Sequence, residues 1–168
     1  AGAMAYVPHS TCLQTPIGRV LIGGDERALH HIRILAADDE AARAGEAPPG
    51  SPVAEAAEQV ADYFAGRRTT FDLPLVPLKS NRGEALRQAI ASVGYGETLS
   101  YGALAKIAES GARAVGGACS RNLYPIVIPC HRITSSGGAA ERYSAGDGPA
   151  TKAWLIAHEA RHSTGVEP

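Results

Sequence analysis

The segment Pro125-Ile126-Val127-Ile128-Pro129-Cys130-His131-Arg132 constrains this chain more than any other. The uncharged run from Pro125 to Ile128 demands burial, and its length reads as a short interior strand. The end of such a strand holds one sulfur, that of Cys130, at a fixed place beside the imidazole of His131. A free thiol, with a pKa of about 8.5, is mostly protonated at neutral pH. An adjoining group that takes its proton makes it a nucleophile, so the local chemistry is that of an activated thiolate. The plainer reading is a buried structural cysteine, because unpaired cysteines pack as small hydrophobes.

The chain has 168 residues, 45% of them hydrophobic, which suits one sizeable or two small globular domains. Aromatic residues make up only 5%, so the core must be built from Ala, Val, Leu and Ile. The net charge of −1 gives no global attraction for nucleic acid, and such a partner must be met by a local basic face. The three cysteines, Cys12, Cys119 and Cys130, argue against a disulfide framework and for a reducing, cytoplasmic setting. No apolar stretch approaches membrane-spanning length, so a membrane partner is not expected. Ala1-Gly2-Ala3-Met4 resembles a cloning scar ahead of a native Met4.

The fold class expected is α+β, with an N-terminal α/β domain over 5–78 and a C-terminal domain over 83–163. In the first, Thr11–Gln14, Arg19–Gly23 and His30–Leu35 alternate and are punctuated by turns, which predicts a small antiparallel sheet. Glu40 to Pro52 is an Ala/Gly/Pro-rich loop. Val53 to Phe64 predicts a helix burying Val53, Ala57, Val60, Ala61 and Phe64, with Gly66 as its cap. Phe71 to Val76 reads as an edge strand because of Pro74. The second domain is mostly helical and carries the short cysteine-bearing strand. Leu86, Ile90 and Val93 share a helical face that ends at Gly94-Tyr95-Gly96. Ser100 caps a helix to about Ala108, and Glu109-Ser110-Gly111 turns into a third helix over Ala112–Asn122. That pair has the form of a helix-turn-helix or of an ordinary helical hairpin. A last helix from Ala150 to Arg161 should turn Trp154 and Leu155 inward. His9, Cys12, His30 and His31 form no evident tetrahedral metal set.

Pro129-Cys130-His131-Arg132 resembles the signature of the O6-alkylguanine-DNA alkyltransferases. Gly96-Glu97-Thr98-Leu99-Ser100-Tyr101-Gly102 resembles that family's entry to its helix-turn-helix. Arg113-Ala114-Val115-Gly116-Gly117-Ala118 followed by Asn122 resembles its recognition helix, and Lys152 to Glu159 its last helix. Thr15-Pro16-Ile17-Gly18 and Tyr63-Phe64-Ala65-Gly66 extend the likeness to the N-terminal domain. The resemblance implies direct-reversal repair of double-stranded DNA: an alkyl group on guanine O6 passes irreversibly to Cys130, once per molecule. It implies no cofactor and no metal, because the protein is the acceptor; a monomer is expected. It also implies roles. Glu159 orients His131, which draws the Cys130 proton through a water, while Asn122 supports the turn that holds the sulfur. Tyr101 assists the leaving base, Tyr143 and Ser144 belong to a loop over the base, and Arg113 fills the stack from which the base is rotated. Ala114 and Gly117 permit close approach to the minor groove, with Arg132, Lys106 and Arg121 as a positive face. Cys119, on the same helix, reads as a small packing residue.

The chain departs from the family where DNA is handled. The helix from Gly83 to Val93 lacks the family's Phe and Trp, with Arg82 and Arg87 near those places. The turn Glu109-Ser110-Gly111 is shorter, and Leu123-Tyr124 follows Asn122 where a proline is usual. The loop from Gly137 to Gly148 carries Glu141, Arg142 and Asp147, and Ala145 replaces a glycine. These differences motivate a rival reading, an enzyme whose Cys130 thiolate acts on a small-molecule substrate in biosynthesis or self-resistance. A non-catalytic lesion sensor is a third, opposed by the retained cysteine.

Overall fold

A computed structural model describes residues 7–36, 45–135 and 142–164. Residues 1–4, part of the loop after Glu40, and Gly137 and Glu141 lie outside the described residues. The chain forms two compact units divided between Val76 and Pro77.

In the first unit, β1 (His9–Thr15), β2 (Gly18–Gly24) and β3 (Leu29–Ile34) make an antiparallel sheet in the order β1-β2-β3. The register pairs Leu13 with Val20, Ile22 with Ile32 and Val20 with Ile34. Period-two alternation thus puts Val20, Ile22, Ile32 and Ile34 into one core. Helix α1 (Pro52–Phe64) starts where Ser51 Oγ accepts from Ala54 N, and its first residue is the proline such a start tolerates. It packs on β1 and β2. Its buried face is Val53, Ala56, Val60 and Tyr63, turned from the expected one; Ala57 and Phe64 are half-buried and Ala61 is exposed. Tyr63 wins the inward place because its ring meets Phe64 and Phe71 at 5.1 and 5.7 Å. Gly66 closes the helix in the left-handed region at φ 80°, its N–H donating to Tyr63 O. The segment Phe71–Val76 is not the edge strand expected. Pro74 has no donor, and pairing reduces to one bridge, Leu29 N to Pro74 O at 2.8 Å and Val76 N to Leu29 O at 3.3 Å. The Gln59 amide holds the start of this segment by accepting from Asp72 N and donating to Asp72 O.

The second unit begins with α2 (Asn81–Ala91), capped by Ser80 and burying Leu86 and Ile90. A two-residue strand β4 (Leu99–Ser100) leads into α3 (Tyr101–Ile107), where Ser100 Oγ accepts from Ala103 N. Glu109, at φ 53°, turns the chain into α4 (Ala112–Ser120), which packs on α3. These are the two helices of the expected helix-turn-helix. Strand β5 (Ile133–Thr134) pairs parallel with β4. Helix α5 (Pro149–Thr164) packs on the turn before β5. Leu155 is inward as expected, but Trp154 is half-buried and stacks on His158 at 4.8 Å. Among the described residues no helix is long and apolar enough to cross a membrane.

Pro125, Ile126 and Ile128 are buried and Val127 half-buried, but the run is not a strand, and Cys130 sits on a single 3₁₀ turn, Cys130–Arg132, just before β5. Pro125 and Pro129 lack ladder donors, and Ile126 stands at φ 77°. Ile128 N instead closes a local turn onto Tyr124 O at 2.9 Å. An apolar run is the signature of burial, and here a folded loop satisfies it as well as a strand would.

Candidate active site

A buried loop needs partners for its polar backbone, and Asn122 supplies them. Its Oδ1 accepts from Tyr124 N at 2.9 Å, and its Nδ2 donates to Ile128 O at 2.9 Å and to Cys130 Sγ at 3.3 Å. One amide therefore fixes both ends of the loop and the sulfur itself. Tyr124, fully buried, lies under the Arg87 guanidinium, 5.3 Å from its ring centre.

The next residues build a hub around Glu159. His131 is fully buried and its Nε2 lies 2.6 Å from Glu159 Oε2. Arg132 donates Nε to Oε1 at 2.8 Å and Nη2 to Oε2 at 3.1 Å, and its Nη1 donates to Val93 O. Gly96 N donates to Oε1 at 3.3 Å, from a backbone at φ 79° where an added Cβ would meet Ser163. Burial works to raise the Glu159 carboxyl, but His131 and Arg132 outweigh it and hold it well below the usual carboxylate range. Burial lowers the His131 pKa against the pull of Glu159. The permanent charge of Arg132, with two hydrogen bonds, keeps the carboxylate ionised beside a neutral imidazole. An ionised acceptor requires the proton on Nε2, so Nδ1 keeps its lone pair, and no donor among the described residues reaches it.

Cys130 is a protonated thiol at rest, not the standing thiolate the motif suggested. Its hydrogen bond with Cys119 and its burial push it well above the ordinary value, against Asn122 and the Lys152 charge. Its hydrogen bonds run to Asn122 and Cys119, with none direct to His131 among the described residues. Cys130 is 5% exposed, yet it lines a cavity of about 970 Å³. Tyr101, Arg113, Gly117, Asn122, Tyr143 and Ser144 line that cavity with it. Tyr143 buries its hydroxyl there with no hydrogen-bond partner among the described residues, and burial raises its pKa.

The fold thus gathers seven of the residues singled out from the sequence around one opening and sets His131 and Glu159 behind them. Two stand elsewhere. Arg132 belongs to no positive face: it is 6% exposed and clamps Glu159, because a buried carboxylate needs a cation more than the surface does. Ala114 is half-buried and does not line the cavity. Lys106, Arg113 and Arg121 are exposed. Two residues take larger parts than the sequence suggested. Lys152 is fully buried, its Nζ donating to Ile133 O at 2.6 Å and to Arg142 O at 2.9 Å, which ties β5 to the loop over the cavity. Its spacing to Leu155 and Glu159, one helical face, is the pattern that betrays it. Cys119 is no mere filler, since it meets Cys130 in the cavity wall.

Comparison with known proteins adds an independent line. Residues 83–161 match the family described as 6-O-methylguanine DNA methyltransferase, DNA binding domain. Residues 9–77 match its ribonuclease-like domain. The chain is 38% identical over 167 residues to the methylated-DNA--protein-cysteine methyltransferase of Mus musculus, covering 88% of this chain and 79% of that one. It resembles the crystal structure of Mycobacterium tuberculosis O6-methylguanine methyltransferase with TM-score 0.77 and 31% identity, over 92% of this chain and 93% of the other. The Mycobacterium tuberculosis protein in complex with DNA gives TM-score 0.75 and 29% identity, over 92% and 94%.

Proposed function

The chain belongs to the 6-O-methylguanine DNA methyltransferase family, and from that premise we propose that it repairs DNA by taking the alkyl group of O6-alkylguanine onto Cys130. The observation that carries this reading is the placement of Cys130 on the cavity wall, with Asn122 on its sulfur and the His131–Glu159 pair behind it.

The displacement is direct. The Cys130 sulfur attacks the alkyl carbon, an S–C bond forms, the C–O bond breaks, and its electron pair returns to guanine. The thiol proton passes through a water to His131 Nδ1, and Glu159 stabilises the imidazolium that results. A thioether is a poor leaving group, so each molecule acts once. A guanine inside the duplex cannot reach the sulfur and must be rotated out, with Arg113 of α4 taking its place in the stack. Tyr143 and Ser144 bound the base in the cavity, and Tyr101 faces its leaving oxygen. The small-molecule alternative has no observation that favours it over DNA.

Intact-mass spectrometry after incubation with a duplex containing O6-methylguanine tests the reading. One methyl group should appear on the protein and none on Cys130→Ala. No mass gain with DNA in excess would refute it.

A further inference from the structure

The alkyl transfer leaves one nucleophile of the cavity unused. Cys119 lies on α4 near its end, and its thiol and that of Cys130 lie close enough to shift each other's ionisation. Both line the same cavity, Cys119 half-exposed and Cys130 buried. We propose that Cys119 and Cys130 form an oxidisable pair, which a hydroperoxide entering the cavity converts to a disulfide, closing the alkyl acceptor reversibly.

The step balances. The Cys119 sulfur attacks the outer oxygen of the hydroperoxide; an S–O bond forms, the O–O bond breaks, and the alcohol, or water from hydrogen peroxide, departs. The Cys130 sulfur then attacks Cys119; the S–S bond forms, the S–O bond breaks, and hydroxide leaves with the Cys130 proton as water. Cys119 is the first to react because it is the more accessible. Its hydrogen bond with Cys130 and the Lys152 charge also favour its thiolate, against burial. The two thiols share one cavity wall, and Cys130 rides on a single 3₁₀ turn rather than in a ladder, so bond formation breaks no sheet pairing. The third thiol, Cys12, lies on β1 in the other unit and serves as an internal control. For a single-use acceptor such a bond protects Cys130 from sulfinic acid, which a dithiol does not reverse.

The reduced full chain is treated with hydrogen peroxide, its free thiols are blocked with N-ethylmaleimide, and intact mass and peptide maps are recorded. The expected result is a loss of two hydrogens, maleimide on Cys12 alone, a peptide linking Cys119 to Cys130, and full reversal by dithiothreitol. In Cys119→Ser the link should vanish and Cys130 should instead gain oxygen that dithiothreitol does not remove. Maleimide on both Cys119 and Cys130 of the treated wild type, or a link through Cys12, overturns the proposal without recourse to any variant. The consequence for alkyl uptake rests on the function proposed above. The oxidised protein should take no methyl group and regain uptake on reduction. A chain that forms the link yet accepts no methyl even when reduced would count against that function alone.

Discussion

Cys130 shows how a nucleophile can be kept inert until its substrate arrives. Its thiol stands above the ordinary value of 9.0, and the His131 imidazole below its ordinary value of 6.5. Between those limits both groups are neutral, and a proton passed from one to the other leaves the net protonation unchanged, so pH drops out of the rate. Methyl uptake under single-turnover conditions should therefore be nearly flat with pH from 6.5 to 9.0. An isolated thiol would instead gain about tenfold per pH unit below its pKa. A slope of that size across the window would remove His131 as the base. Asn122 supports a second prediction. Asn122→Ala removes three hydrogen bonds, one of them to the sulfur. At about 1 kcal/mol each, the loss should be about 2–3 kcal/mol by urea denaturation, with uptake slowed at least tenfold. Unchanged uptake would reduce Asn122 to a bystander.

The elements repeat a lesson about what a sequence displays. The period-two strands, the Ser100 cap of α3 and the Cys130-His131 pair were legible because each rests on local chemistry or spacing, whereas Glu159 came only through the family resemblance and the Ser51 and Ser80 caps only with the structure. The loop from Pro125 to Ile128 was not legible, since burial looks alike in a strand and in a folded loop, and only the Asn122 amide decides between them. Arg132 was misread for a related reason: an arginine beside a nucleophile suggests a ligand, while its true partner lies far along the chain on α5. The sequence departures also meet in pairs. Arg87 of α2 covers Tyr124, and Arg82 donates to Ser110 in the short turn before α4 at 2.9 Å. Arg132 carries the prediction at this scale. Arg132→Ala leaves a buried carboxylate without its cation and should cost about 3–5 kcal/mol. Glu159 lies below its ordinary 4.5 in the fold, so its stabilising share is complete above that value and is lost as pH falls through the lower folded one. Without Arg132 the folded value rises, and the acid-unfolding midpoint should move to higher pH. An unmoved midpoint would show that His131 alone holds the carboxylate.

For the whole molecule, a net charge of −1 means that approach to DNA gains nothing from the summed field. Attraction has to come from a few exposed cations of the second unit, Arg113 and Arg142 on the cavity, Arg121 at the end of α4 and Lys106 on α3. So small a set predicts weak affinity with a shallow salt dependence. Each phosphate contact contributes about −0.9 to the slope of log K against log salt on a duplex. Arg121→Ala should lower duplex affinity for any sequence and flatten that slope by about 0.9, with methyl uptake at saturating DNA unchanged. Arg113→Ala should behave differently, because the role proposed for it is inside the stack. Its uptake from a duplex should fall far more than its uptake from a single-stranded O6-methylguanine oligonucleotide, which has no stack to refill. Titrating both substrates by intact mass, across a salt series, separates the two arginines. Equal losses on single and double strands would return Arg113 to the class of plain phosphate contacts and leave base extrusion without its wedge.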